Sequence, residues 1–569
     1  MGNKIMLKKI DLIIIGFIII CPFFKGLYFY HTIYFFGAII LFITMMYIKN
    51  NKVFLIEKSI NHYCILIGVV LYFITIFYAI DKGMAFMGFF KVLVAYLFYL
   101  MIMQSQINKK IYMKSISVSG IIISFISILS FFIPSLSKEF LQKGRLGSFF
   151  QYPNTFALFL IVCIIFIIGQ EKNKYYYNIL GISFMWACIL LTFSRSMYII
   201  SLGTIITCII YNKKKFKSIL MAFGIGTGIW YFIMTSSSLS NVFNRIQETS
   251  TKTSEWLTRL LYYKDSFTIM KHYPFGTGHL GYYYIQRIYQ TGATYYVKYI
   301  HSNVLQIVMD IGIIGFLLVV IFFINNTFSK NLSFYEKLAV VVIFGHGAID
   351  FDWQFLVVGF LIILIINKDN AKMKTLNIPR KLIFFVGLII ISIYGYMGVG
   401  SYYAYIEDYE KSLSLYPYNT EAKIKLVKKY KDEDKDRAYT LAEEIISRNK
   451  FATYAFITKR DIDYENKNFM EAYKSAKRII YLNPLNINHV EIYASIVLER
   501  AKKYIEEKDI QSAIKELEKI LAIPYYMDGL AKDRLTDYNV KHIPRLFMTE
   551  KLIDIYEEAD KLLENVYYN

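Results

Sequence analysis

Six ionisable residues stand at the edges of strongly apolar runs: Arg145 in GRLGSFFQYPN, Arg195 in LTFSRSMY, Arg259 in EWLTRLLYY, His301 in HSNVLQIVMDIGIIG, and Asp350 and Asp352 in GHGAIDFDWQF. An ionisable group beside hydrocarbon is costly, and its presence there points to function. Three guanidinium forks suit the oxygens of a phosphate-bearing anion, because each offers paired donors that never deprotonate. A histidine among them can take a proton near neutral pH. Each residue also has a plainer reading. Arg195 could anchor a helix end at the headgroups, Arg145 and Arg259 could be solvated loop arginines, and His301 could be an interfacial residue. Asp310 could be paired structurally, Gly312 and Gly315 read as close helix packing, and Lys91 snorkels or pairs inside the bundle. The segment GTGHLG, with Gly276, Gly278 and Gly281, formally matches a dinucleotide fingerprint. No strand precedes it and no βαβ unit surrounds it, so it reads as a turn after Pro274 leading into Tyr282–Tyr284.

The elements that must position these residues are apolar helices. The chain has 569 residues, of which 56% are hydrophobic and 18% aromatic, and its mean hydropathy is +0.39. That is more apolar surface than one soluble core can hide. Apolar runs fall near 10–24, 31–48, 62–80, 84–103, 115–134, 152–169, 178–193, 196–211, 218–235, 303–324, 337–351, 354–366 and 381–400. A single helix over 178–211 would be about 50 Å long at ~1.5 Å per residue, against a hydrocarbon core of roughly 30 Å. Both of its flanks are basic, so two spans with a tight turn at Arg195 satisfy the charge pattern. The five cysteines all lie in apolar runs and read as small packed hydrophobes. Lys4, Lys8 and Lys9 before Leu12–Ile20 resemble a signal sequence without a convincing cleavage site, which predicts an uncleaved first span.

The net charge of +21 follows from loop placement, and nothing in it requires nucleic acid. Loops on the N-terminal side carry 22 Lys and Arg, and those on the opposite side carry six: Lys25, Lys82, Lys138, Lys143, Arg145 and Arg195. This bias predicts a cytoplasmic N-terminus. The six candidate site residues then share the outer side with the long loop 236–302, and with thirteen spans so does everything after Ser401. From that point the sequence turns charged and helical. EKSLSLYPYN, EEIISRNKFA, KRIIYLNPLN and LEKILAIPYY begin 33, 34 and 40 residues apart. A period near 34 resembles tetratricopeptide repeats, with Ala472 where that pattern wants a small residue. An irregular helical bundle is the other reading. Such solenoids bind peptides or partners on a concave face.

Taken together, GRLGSFFQYPNTFA (145–157), LLTFSRS (190–196), the Arg259 segment with HYPFGTG (272–278), and HSNVLQIVMDIGIIG (301–315) resemble the O-antigen ligase and Wzy-type polymerase family of membrane glycan transferases. Ser302 stands where that family has Asn, and Asp310 where it has Glu. The resemblance covers roughly residues 10–370. It implies an all-α, GT-C-like membrane bundle of about twelve or thirteen spans, with residues 1–400 forming the transmembrane domain and 401–569 the repeat domain. It also implies a polyprenyl-diphosphate-linked glycan donor, an acceptor hydroxyl that attacks the anomeric carbon, and no metal or other cofactor. Carried onto this chain, Arg195 and Arg259 would hold the diphosphate, Arg145 would position the donor, and His301 would be the acceptor-activating base. Asp350 and Asp352 would complete the substrate site. The acceptor is a glycan, lipid or protein, and the repeat region favours a protein partner.

A lipid-linked glycan transporter or flippase is the competing function. It would show repeated spans and ionisable groups near the midplane, whereas here these groups cluster at one face beside a 67-residue loop. A membrane-anchored scaffold would need only one span. The topology has a direct consequence: in intact cells, engineered cysteines at Ser148 and Ser302 should react with an impermeant thiol reagent and one at Lys214 should not. Labelling at Lys214 would reverse the orientation.

Overall fold

The computed structural model describes residues 2–51, 53–105, 107–170, 175–235, 255–292, 295–366, 373–376, 379–535 and 546–568. The chain is an all-α polytopic bundle with almost no sheet. Each apolar run is helical: α1 (Gly2–Ile20), α2 (Tyr30–Asn51), α3 (Ile60–Tyr78), α4 (Lys82–Gln104), α5 (Lys109–Leu129), then, after the short α6 (Pro134–Phe140), α7 (Pro153–Ile168), α8 (Tyr175–Leu191), α9 (Arg195–Tyr211) and α10 (Phe216–Thr235). The loop helices α11 (Glu255–His272) and α12 (Gly281–Ile285) precede α13 (Asn303–Thr327), α14 (Phe334–Gly347), α15 (Leu356–Ile365) and α16 (Arg380–Tyr405). Among the described residues, seven of these helices are long and apolar enough to cross a membrane. Residues 236–254, 293 and 294 of the long loop, and Lys52, Lys172, Lys174, Lys368 and Lys372 of the basic count, lie outside the described residues.

The long stretch 178–211 divides where its length required. Thr192 N–H bonds back to Cys188, Phe193 turns left-handed at φ 48°, and α9 begins at Arg195. Every residue of α7 is buried, which makes it the central post of the bundle, apolar all round. Pro153 opens it at the first helical position, where its missing N–H is harmless.

Loops pair within two sets, one at each end of the bundle. At one end the strand Phe54–Glu57 ladders against Met373–Leu376, Lys109 pairs with Glu336 at 3.1 Å, and Lys215 Nζ donates to the Gln170 carbonyl at 2.9 Å. At the other end Lys25 meets Glu139 at 2.7 Å, Ile80 N–H donates to the Thr277 carbonyl, and Asn303 N–H donates to the Asp350 carbonyl.

α13 is not continuous. Ile311 (φ −128°) and Gly312 (φ 76°, ψ −169°) interrupt it, and the freed carbonyls of Met309 and Asp310 accept from Thr277 N–H and Gly278 N–H. The turn Pro274–Gly278 is thus wedged into the break. A Cβ at Gly312 would lie 2.4 Å from the Pro274 carbonyl oxygen, and one at Gly276 2.6 Å from that of Asp310, so both positions need glycine for space as well as for φ. The expectation that Gly312 serves helix–helix packing is corrected: it receives a loop.

Residues after Ser401 form antiparallel helices from Tyr409–Leu415 through Ile523–Arg534, closed by Glu550–Tyr568. Asp408, Asn419, Asp434, Asn486 and Asp509 cap five of them with side-chain bonds to first-turn N–H groups, each cap stabilising by about 1 kcal/mol. Ala472 is fully buried where helices meet. This region docks on the end of the bundle that holds His301: Asn449 Nδ2 donates to Asp81, Tyr416 O–H to the Gly83 carbonyl, and Lys298 to Glu421. Ser148 and Ser302 prove buried, so the labelling test is better made at Lys143, which is exposed, and at Tyr525 (83% exposed), against Lys214. The first two are expected to label from outside, and a reversed pattern would refute the orientation.

Candidate functional site

The site is built on the eight residues between α14 and α15. Asp350 is fully buried within that loop. Its carboxylate accepts from Tyr152 O–H (2.9 and 3.1 Å), Asn154 Nδ2 (2.6 Å) and the Phe351 N–H (2.9 Å), and faces His301 Nδ1 at 3.1 Å. Burial alone would raise this carboxyl. Hydrogen bonding and charge from His301, with the charges of His346 and Arg259 behind them, outweigh it and hold Asp350 well below the usual carboxylate range. Asp350 is therefore an anion that fixes the His301 ring.

Two arginines join the same loop. Arg259 donates to the Ile349 carbonyl at 2.9 Å. Arg145 donates to Asn154 Oδ1 at 2.7 Å and to the Thr192 carbonyl at 2.9 Å, which ties it to the turn before α9. Arg195 itself is exposed and makes no hydrogen bond or ion pair among the described residues. Its neighbour Ser196 is held: Ser196 Oγ lies 3.2 Å from His346 Nε2, and His346 Nδ1 lies 2.7 Å from Asp352 Oδ2. Thr155 O–H donates to the other Asp352 oxygen at 2.7 Å. The expectation of direct substrate contact by the two aspartates meets a physical difficulty. Both are fully buried, and their oxygens are taken by protein donors.

Four helices thus begin around this loop, α7 at Pro153, α9 at Arg195, α13 at Asn303 and α15 at Leu356. Their N-terminal ends add partial positive charge to that of the arginines. Sequence reasoning missed Tyr152, Asn154, Thr155, Ser196 and His346. The signal available for them was position: each lies in a segment already singled out, within ten residues of Arg145, Arg195 or Asp350.

Residues 180–320 match the O-antigen ligase family profile. The matched segment contains Arg195, Arg259 and His301, and its support extends to a membrane glycan ligase or polymerase in general terms. Arg145, Asp350 and Asp352 lie outside it and join it only through the contacts above. No curated protein matches the chain.

The segment leading to His301 is pinned by a second buried carboxylate. Asp265 on α11 accepts from Thr291 O–H (2.6 Å) and Tyr295 O–H (2.7 Å). Burial raises it to about 6, against the pull of those hydrogen bonds. An acid whose pKa rises on folding stabilises the fold fully below its unfolded value of ~4, and that stabilisation is lost as pH passes through the folded value. Hydrogen exchange in 286–292 and 295–297 should therefore quicken several-fold as pH rises through about 6, beyond the intrinsic exchange trend. Asp265→Asn should remove the step; an unchanged step would show that another group titrates.

Proposed function

We propose that the protein transfers a glycan from a polyprenyl-diphosphate carrier to an acceptor hydroxyl at the end of the bundle holding His301, which we read as extracytoplasmic. The observation that carries this reading is the His301–Asp350 pair set among Arg145, Arg259 and the start of α9. His301 takes the proton of the attacking hydroxyl while its Nδ1 is held by Asp350, an orientation that leaves Nε2 for the acceptor. Bond breaking at the anomeric carbon leaves negative charge on the carrier diphosphate. Arg259 and Arg195 stabilise that charge, and Arg145 positions the donor. Arg195, exposed at the head of α9, has donors that no described residue takes, and these serve such an anion. The charge is met without a metal.

Residues 401–569 are read as a tetratricopeptide-like region that holds the acceptor or a protein partner, since they dock beside the segment carrying Lys298 and His301. Its four-residue run of Lys298–His301 links the docking contact to the base.

His301→Gln keeps a hydrogen-bonding side chain but accepts no proton. Transfer should fall by roughly 10²–10⁴-fold with donor binding retained. Arg195→Lys should already weaken donor binding or turnover, because an ammonium cannot replace the fork. Near-normal transfer by His301→Gln would remove it from the chemistry. Transfer should also survive EDTA; loss that Mg²⁺ or Mn²⁺ restores would replace the arginine account with a cation.

A further inference from the structure

A cavity of about 270 Å³ lies between α3, α4, α13 and the α14–α15 pair. Its wall follows α13 from Asn303 to Phe322, about 28 Å at ~1.5 Å per residue, close to the ~30 Å thickness of bilayer hydrocarbon. Its two ends differ. Near Cys64, Phe322 and Ile362 it is apolar, and near Lys91, Asn303 and Trp353 it is polar.

At the polar end two donors are unused. Asn303 Nδ2 and Trp353 Nε1 are buried and have no hydrogen-bond partner among the described residues. Both nitrogens lie 2.9 Å from where a Cβ on Gly347 would stand, so they converge beside its backbone and leave room for glycine alone. A buried donor without an acceptor costs about 1–3 kcal/mol, so an acceptor oxygen that reaches them is favoured. Lys91 Nζ donates to Gln354 Oε1 at 2.8 Å on the same wall. Asp310 also lines the cavity, but its oxygens are occupied by Tyr72 and Gln306. Asn303 connects this end to the site, since its N–H bonds the Asp350 carbonyl and its Oδ1 accepts from Trp353 N–H.

We infer that this cavity seats the first two or three isoprene units of the lipid carrier, with Asn303 Nδ2 and Trp353 Nε1 donating to an oxygen of the phosphate next to the chain. This rests on the glycan-transfer reading. A void of about 150 Å³ accommodates one benzene, so this cavity holds on the order of ten to fifteen carbons. The protein therefore reads the start of the chain and leaves the remainder in the bilayer.

Two glycines allow the cavity to be filled. Gly68 and Gly359 line it, and no atom stands within 4 Å of a Cβ at either. Donors with chains from one isoprene unit to full length should show, with the wild-type protein, kcat/KM rising over the first ~3 units and then flat. In Gly68→Leu/Gly359→Leu the dependence should flatten, with a loss of about tenfold or more for long-chain donors; Trp353→Phe should raise donor KM about tenfold. A gain that continues over the whole chain, or the same dependence in the filled variant, would overturn the inference. A photoactivatable prenyl diphosphate without glycan gives a reading independent of transfer. It should label α3, α13 or α15 in the wild type and not in the filled variant, with competition by prenyl diphosphate. Labelling elsewhere, or equal displacement by a bilayer phospholipid, would show that the carrier is not seated here. Correct labelling without transfer would instead count against the catalytic reading.

Discussion

Two carboxylates with no solvent exposure have to be balanced inside the protein, and the end of the bundle that holds His301 is organised around that requirement. A buried anion without partners would cost far more than a domain's margin of stability. Asp350 meets His301, Tyr152 and Asn154; Asp352 meets His346 and Thr155. The partners come from the start of α7, the segment before α13 and the end of α14, so satisfying the two carboxylates also fixes these relative to one another, and Ser196 beside His346 adds the start of α9. The rigidity of the candidate site is then a consequence of electrostatics and not of loop packing alone. Removing one partner leaves an uncompensated charge, which is why such networks fail as units.

The interruption of α13 is the second device at this end. A break in a membrane helix exposes carbonyls that hydrocarbon cannot satisfy, and the Pro274–Gly278 turn supplies the missing donors. The same insertion carries His279 inward to Tyr30 Oη at 2.7 Å and leaves the Asp310 side chain facing Tyr72 and Gln306. Asp310, buried within α13, thereby has its own donors and is distinct from the pair on the loop between α14 and α15.

The helices after Ser401 add a third constraint. They grip loop segments next to α4 and next to His301 through Asn449, Tyr416 and Glu421. Glu421 reaches Lys298, whose ammonium also sits over the Tyr30 and Tyr299 rings at about 6 Å. The chain between Lys298 and His301 is thus held from both sides, by the bundle through Asp350 and by the helical region through Glu421.

Much of the architecture was legible in the sequence because hydropathy acts locally. A run of some twenty apolar residues has to become a helix in hydrocarbon whatever surrounds it, so all thirteen runs coincide with helices, and the split at Arg195 followed from length together with the basic flanks. The residue types that converge at the Asp350 loop were also visible, since a charge beside hydrocarbon stands out in any single sequence. Partnership was not visible. Which carboxylate faces which histidine, that Asp350 and Asp352 are enclosed rather than presented, and that Gly312 accepts a loop instead of a helix depend on tertiary contacts, most of them across tens to hundreds of residues. Tyr152 and His346 lie in segments already singled out, yet nothing local distinguishes a tyrosine that holds a carboxylate 198 positions away from one that packs. The sequence by itself determined the helices and the inventory of charges, because transfer free energy is a property of each residue; only the tertiary structure decided the pairs, because a hydrogen bond needs two groups brought within 3 Å by everything else that packs.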